Sequence, residues 1–440
     1  MKSIFLANLS EVALPLVHLL SKKRADDEIY EDHALCDRFL FQDQDDCLLI
    51  TPFPIDPEFK FDSCNMLRLQ NVVNLYPSQI QSSLCEAVLS DEKVLSVLLE
   101  TIRKNPGISI RSYVSSPQFL AVIDFLKSND LLFLTPEMPN EESRWTTSFF
   151  DSKAGFRQTV PFMEHFPKMP LGAICKNESE IIGWALFFLR KHKGFVLKAN
   201  DGLAGAGLKI IKHEDVLLSG AKVYIRKVLQ EEPWFTKGLT VVEEYIPPHM
   251  KVCGGAPNIE LRADGKNVSV LYTCGMRITK DGVFKGVEIG REAVPKKIDG
   301  PLRKAGDGFG NYIRNLGYQG FFEIDWVLGM QGELMPIEAN LRRTGGTHVY
   351  ELAKRLLGEN FAQKYYVAAT NIQRSDRLKS KTYEQIKDIL SPVLFPLQNK
   401  KEGVVITCLS YLTKGNIGYA VIAPSRKRAE LIEKKFLQMI

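Results

Sequence analysis

Apolar and polar positions alternate most cleanly between residues 320 and 340. In the stretch 321–328, Phe322, Ile324, Trp326 and Leu328 fall on one face and Phe321, Glu323, Asp325 and Val327 on the other, because strand side chains point alternately to the two sides of a sheet. Leu334, Pro336, Glu338 and Asn340 share a face in the same way. Between them Met330-Gln331-Gly332-Glu333 reads as the turn, with Gly332 free to take a positive φ. Folded symmetrically about Gln331–Gly332, this hairpin sets Asp325 opposite Glu338 and Glu323 opposite Asn340. The face behind the acids is apolar and β-rich, so the hairpin is expected to pack against the protein rather than stand in water.

Strand and helix signals alternate over residues 1–148. A strand over 3–9 is followed by the apolar run Cys47-Leu-Leu-Ile-Thr51 and by a helix opened by Ser90-Asp-Glu, with Val94, Leu95, Leu98, Leu99 and Ile102 at helical spacing. A strand over 108–114 and a helix over 118–127 come next, the latter with Ser116 as N-cap and Pro117 at its first position. This order predicts an α/β domain with a largely parallel sheet. Residues 135–150 read as a linker, and Asp151-Ser-Lys153 begins a helical stretch. Residues 194–200 form a strand, 201–207 a glycine-rich turn and 208–212 a return strand. Dinucleotide-binding loops run from strand into helix instead, which argues against a Rossmann unit here. A strand over 239–246 ends at Pro247-Pro248, and further strands turn at Asp264-Gly265 and Asp281-Gly282. A helix over 301–316 precedes the acidic hairpin. After it come a helix over 349–357, another over 383–390, two strands separated by Lys414-Gly-Asn416, and a basic helix from Ser425 whose charges read as a solvated face.

At 440 residues the chain has room for about three domains with substantial cores. Its 45 % hydrophobic and 25 % charged residues are ordinary for a soluble globular protein, and a net charge of +5 supplies no basic footprint for nucleic acid. The 8 cysteines are scattered, without a C-x-x-C pair or a close histidine, which points to a reduced intracellular protein with neither a zinc site nor a disulfide framework. Asn8, Ser10 and Glu11 interrupt the apolar N-terminal run, so it reads as a strand and helix rather than a signal peptide. No other run approaches the ~20 apolar residues of a membrane span. A cytoplasmic protein without nucleic-acid or membrane partners is expected.

The acidic hairpin changes the picture most. Directly opposed residues have Cβ atoms roughly 4.5–5.5 Å apart, and like charges there are destabilising. Glu323, Asp325 and Glu338 on one patch therefore require a cation. With oxygen ligands only, such a patch suits Mg2+, with Mn2+ as a substitute, and the phosphates such an ion bridges. The backbone amides of Gly202, Ala204, Gly205, Ala206 and Gly207 could wrap phosphate oxygens, and Lys198 would add a point charge. No Cys/His or Ser/His/Asp arrangement offers a nucleophile.

The ordered set Lys153, Lys198, the 202–207 loop, Val242-Glu243-Glu244-Tyr245-Ile246, Asp325 and Glu338-x-Asn340-x-Arg342 resembles the ATP-grasp superfamily of carboxylate–amine ligases over residues 151 to about 370. Together with the preceding α/β domain and the short tail, Asn340-Leu-Arg-Arg-Thr-Gly-Gly-Thr-His348 is most similar to the pheganomycin-type peptide ligases. The resemblance implies a mixed α/β and α+β architecture. An N-terminal pre-ATP-grasp α/β domain would occupy 1–148. A two-lobed ATP-grasp domain would occupy 149–373, with lobes at about 149–240 and 241–373, and a small α+β segment would occupy 374–440. It further implies that ATP is gripped between the lobes. Lys153 and Lys198 would contact the phosphates beneath the glycine loop, and Glu243, Glu244, Tyr245 and Ile246 would hold the adenine. Asp325, Glu338 and Asn340 would bind Mg2+, Arg342 would meet the transferred phosphoryl group, and Arg277 would be a second cation beside it. His348, near the arginines, is a candidate base toward an amine. Many relatives carry an acid just past the adenine strand for the ribose hydroxyls; residues 247–257 contain none, which leaves Glu260.

The activity so implied is ADP-forming ligation of a carboxylate to an amine through an acyl phosphate, with amino acids or short peptides as substrates. Ligases of this kind are often homodimers. Two other classes fit the same nucleotide site: a phosphotransferase acting on a hydroxyl, and a nucleotide-binding subunit without turnover. The complete acidic set argues against the second, because a fold can persist without its metal residues.

Overall fold

Three sheets organise the chain, and their strands follow from the patterns above. The structure is a computed structural model; it describes residues 1–440 apart from His18, Asp43, Gln44, Gln81, His165, Ala204, Gly205, Leu218, Ser219, Lys280 and Asp281, and the side chains of Leu203 and Ala206. The first sheet is parallel throughout, in the order Val73–Leu75, Cys47–Ile50, Ser3–Leu6, Ile108–Ser112, Phe133–Leu134. Its central strands Ser3–Leu6 and Cys47–Ile50 are buried at every position, as expected where helices cover both faces. The helix Glu92–Lys104 is capped by Asp91, which accepts from Lys93 and Val94, rather than by Ser90, which closes the preceding helix Leu84–Ser90. Both residues are good caps, and the second completes the turn.

A four-stranded antiparallel sheet follows, in the order Gly172–Cys175, Thr240–Glu244, Phe195–Leu203, Ala206–Ile211. The largest sheet is also antiparallel and has eight strands, in the order Leu334–Asn340, Gly320–Leu328, Pro257–Ala263, Val268–Ile278, Phe284–Gly290, Tyr366–Arg374, Asn416–Ala423, Gly403–Cys408. The two strands of the tail thus extend the sheet that carries the acidic hairpin. The tail also reaches back to the N-terminal part of the chain: the buried Asp37 carboxylate accepts from the backbone amides of Leu409 (2.7 Å) and Ser410 (2.6 Å). Its basic helix, Arg426–Leu437, is less free than a solvated face. Arg426 pairs with Glu288 at 3.1 Å and Arg428 with Glu402 at 2.7 Å, both acids of this same sheet's surroundings.

The back of the hairpin is sealed by the helix Lys296–Asn315. It was expected to start at Pro301, yet its apolar face (Ile298, Leu302, Ala305, Phe309, Ile313) begins one turn earlier and carries the helix through the proline. Gly310 allows the close approach, because a Cβ there would meet the Phe322 ring at 2.7 Å and Val268 at 2.6 Å. Phe309 sits at the centre of this layer, with ring centroids 5.4 Å from Phe156, 6.0 Å from Phe150 and 6.1 Å from Phe322. Phe150 belongs to the helix Trp145–Asp151, so the stretch read as a linker is a packed element that brings Asp151 and Lys153 to the site. No helix among the described residues is long and apolar enough to cross a membrane. Replacing Phe309 by alanine should remove about 3–5 kcal/mol of stability, as for other buried phenylalanines. Urea unfolding would measure it, and a loss well under 1 kcal/mol would mean that the helix is not seated on the hairpin as described.

Candidate active site

The hairpin pairs Asp325 with Glu338 and Glu323 with Asn340. Nearer the turn the register differs by one, with Trp326 opposite Pro336 and Val327 opposite Met335. Ile337 is therefore the extra residue of a β-bulge, and the proline beside it costs the ladder nothing it needs, since prolines in sheets belong at bulges and edges. Without the bulge Ile337, not Glu338, would face Asp325. The bulge also turns the Ile337 carbonyl toward the Lys198 ammonium, 3.5 Å away.

Two amides manage the crowded acids. Asn258, opposite Asp325 on the neighbouring strand, donates from Nδ2 to Asp325 and to Glu323 (3.0 Å). Asn340 donates from Nδ2 to Glu323 (3.0 Å) and Asp325 (3.1 Å), and its Oδ1 accepts from Arg342 (2.8 Å). Both oxygens of Glu323 are thus held by amides, and so are both oxygens of Asp325. Asp325 and Glu338 are the directly opposed pair, and both line the cleft. Burial and then the Glu338 charge push the Asp325 carboxyl up to about 7. Burial also raises Glu338, but the Lys153 and Lys198 ammonium groups outweigh it and leave that carboxyl below its ordinary value. Among the described residues no three His, Cys, Asp or Glu side chains close a metal cage by themselves. The Asp325 and Glu338 carboxylates are instead a partial, all-oxygen set of the kind with which Mg2+ keeps waters and phosphate oxygens as its other ligands; the Asn340 oxygen, held by Arg342, would join them only on turning. The residues fit that ion.

The lysines come from the four-stranded sheet and from the helix Lys153–Thr159. Lys153, at the start of a helix capped by Ser152, donates to the Gly202 carbonyl and lies 3.3 Å from Glu338. Lys198, on the strand Phe195–Leu203, pairs with the buried Glu243. Gly202 lines the cleft, and Gly207 has a φ of +75° that favours glycine, while Ala204 and Gly205 lie outside the described residues. Ala206 opens the return strand.

Glu243, Glu244, Tyr245 and Ile246 all line the cleft. The Glu243 carboxylate is already bound by Arg157 and Lys198, and that of Glu244 by Lys193. The Tyr245 amide donates to Gly194 (3.0 Å), whereas among the described residues the Ile246 amide has no backbone acceptor. That leaves its N–H without a backbone partner among the described residues, at the cleft wall just before two prolines that have no N–H.

Three expected residues lie apart. Arg277 is held by Glu433 of the C-terminal helix (2.6 Å) and by Thr370 (2.9 Å), and it does not line the cleft. His348 is buried behind the wall with neither ring nitrogen partnered, and burial, then the nearby Arg38 charge, hold it well below its ordinary pKa. Glu260 is fully buried and accepts from Tyr272, Thr344 (2.8 Å) and Thr347 (2.6 Å); it clamps the Thr344–Thr347 loop and cannot serve a ribose. Conversely, Asp151 was missed: it accepts from Arg342 and from the Leu341 amide (2.5 Å) and fixes that arginine beside the acids. Asn258 and Arg157 were missed too. Each acts on a residue more than sixty positions away, a pairing that local patterns do not carry.

The cleft has a volume of about 930 Å3 and three walls: the four-stranded sheet, the acidic hairpin with its neighbours, and the segment Leu9 to Arg38 with Tyr113 from the first domain. Among the described residues that line it there is no serine, cysteine or histidine.

Comparison with known proteins places this geometry. No family model matches the chain. Over 346 residues the sequence is 22 % identical to the L-propargylglycine–L-glutamate ligase of Streptantibioticus cattleyicolor, covering 71 % of this chain; the chain spans about two thirds (66 %) of that relative's length. The biotin carboxylase of Campylobacter jejuni, solved as a β-γ-ATP complex, superposes with a TM-score of 0.57 over 97 % of this chain and 89 % of its own, at 15 % identity. The L-amino acid ligase of Bacillus licheniformis gives 0.52 over 100 % and 98 %, at 12 % identity. The architecture of this chain is the ATP-grasp fold.

Proposed function

We propose that the protein is an ATP-dependent carboxylate–amine ligase that joins amino acids or short peptides through an acyl phosphate, releasing ADP and phosphate. The observation that carries this reading is the opposed Asp325–Glu338 pair in the cleft, with Lys153, Lys198 and Arg342 around it. The sequence likeness to an amino-acid ligase supports the substrate class.

Lys198 and Lys153 would hold the polyphosphate, and the Ile246 amide would meet the adenine edge. Asp325, Glu338 and Asn340 would hold Mg2+, which offsets the charge of the phosphates. A substrate carboxylate oxygen attacks the γ-phosphorus, the bond from that phosphorus to the β–γ bridging oxygen breaks, and ADP leaves with the electron pair. Arg342, fixed by Asp151 and Asn340, presents its charge to the oxygens of the transferring group, and catalysis rests on placed charge and alignment. The amine nitrogen then adds to the acyl carbon, the bond to phosphate breaks, and the nitrogen loses a proton to solvent. No side-chain nucleophile is required, in agreement with the residues lining the cleft.

Two measurements test the reading. An ADP-release screen with amino acids supplied in pairs should find a productive pair, and hydroxylamine in place of the amine should yield a hydroxamate of the activated acid. Turnover on a hydroxyl substrate without hydroxamate would make the protein a phosphotransferase, and no ADP release with any acid would leave only nucleotide binding. Asp325→Asn and Glu338→Gln should each reduce Mg2+-dependent ADP formation at least ~100-fold, the scale seen when one group stabilising transition-state charge is lost. Circular dichroism should stay unchanged in both; near-wild-type turnover in either would refute the role assigned to the hairpin.

A further inference from the structure

The third wall of the cleft carries a charge that the phosphate chemistry does not use. Arg38 is only 4 % exposed, yet it lines the cleft. Among the described residues it forms no ion pair and its side chain makes no hydrogen bond; its Nε is buried without a partner. Its guanidinium lies 5.5 Å from the ring centres of Phe39 and Tyr113, which fix its plane without neutralising it. A buried arginine without an acid is uncommon, and the planar fork matches a carboxylate with two parallel hydrogen bonds.

Asp32 stands beside it on the helix Lys22–Ala34 and also lines the cleft, with Glu28 one turn earlier on the same face. Neither acid forms an ion pair among the described residues, although the Asp32 carboxyl feels both Arg38 and Arg342. Tyr113 ties this wall to the phosphoryl end, because its carbonyl accepts from the Arg343 amide (3.1 Å), next to Arg342.

We propose that Arg38 and Asp32 form the head-group subsite for the amine-donating amino acid, Arg38 holding its carboxylate and Asp32 facing its nitrogen. The inference rests on the ligase reading above. A carboxylate to be phosphorylated must lie against Asp325, Glu338 and Arg342, so it cannot occupy Arg38 as well. An amino acid that donates its amine keeps its own carboxylate throughout and needs a separate anchor. With that anchor at Arg38, the nitrogen projects toward Asp32, on the side of the cleft that also feels Arg342.

The test compares amine donors in the purified full-length protein, using the pair found by ADP release. Wild type should prefer the donor amino acid over its α-amide on the order of 100-fold in kcat/KM, the scale of a lost hydrogen bond to a charged group. In Arg38→Gln this preference should fall to near unity, and the ratio of amide to hydroxamate product, with hydroxylamine competing for the same acyl phosphate, should fall with it. Arg38→Lys keeps the charge and loses the fork, so it should be intermediate, and it carries the comparison if the glutamine variant does not fold. Asp32→Asn should raise the donor's KM at least tenfold with a smaller effect on hydroxylamine. The subsite is overturned if the variants keep the wild-type preference, if the wild type shows none, or if amide and hydroxamate fall together, which would place Arg38 on the activated acid. Absence of hydroxamate in the wild type would instead bring down the ligase reading, and the subsite with it.

Discussion

Two carboxylates held face to face across a hairpin set the terms for the rest of the structure. Asp325 and Glu338 repel at that spacing, and burial strengthens the repulsion by removing water. The protein answers in two ways. Amides from Asn258 and Asn340 each reach one oxygen of Glu323 and one of Asp325 without adding charge. Lysines from outside the acidic sheet supply the positive charge, and so the same interaction that makes the site also joins the two antiparallel sheets. A polyphosphate entering the cleft would compete for those lysines and bring its own cation, so that partners are exchanged rather than created.

Around that pair lies a layer of locked cations. Arg342 is fixed by Asp151 and Asn340, and Lys198 by Glu243, which also takes Arg157. Breaking one partner of such buried pairs typically costs about 3–5 kcal/mol. The acids that do this come from the helix before Lys153 and from the strand before the cleft-wall prolines, which explains why a segment without obvious chemistry, 145–151, is packed so firmly on Phe309 and Tyr312. Orientation of the reactive charges is inherited from the hydrophobic layer behind them.

Legibility followed sequence distance. The Asp325–Glu338 pairing could be read because both strands and their turn are contiguous and alternate strictly. The symmetric fold about Gln331–Gly332 is off by one near the turn, where Leu328 faces Leu334, and the bulge at Ile337 restores it at the acids. Parallel order in the first domain was also readable, from strands separated by helices. Asn258, Asp151 and Arg157 were not readable, since sheet neighbours and ion-pair partners far apart in the chain leave no local trace. Glu260 and Arg277 show the converse: their positions suggested the nucleotide, while tertiary contacts with Tyr272, Thr344, Thr347 and Glu433 commit them to structure.

The first domain shows the same limit in its strongest form. Nothing in residues 1–148 carries a motif, yet the segment Leu9 to Arg38 forms a wall of the cleft. Leaving a charged donor such as the Arg38 Nε buried and unpaired costs about 1–3 kcal/mol or more. Its neighbours could have relieved that cost: Asp32 lies near enough to be influenced by its charge, but the two do not close an ion pair. Phe39 and Tyr113 instead hold the guanidinium plane in place. A donor kept rigid, desolvated and open to a cleft gains most from an anion that arrives with two oxygens in one plane. With the other end of the cleft given to phosphate in the proposed ligase, the anion left to be recognised is a carboxylate that the reaction does not touch.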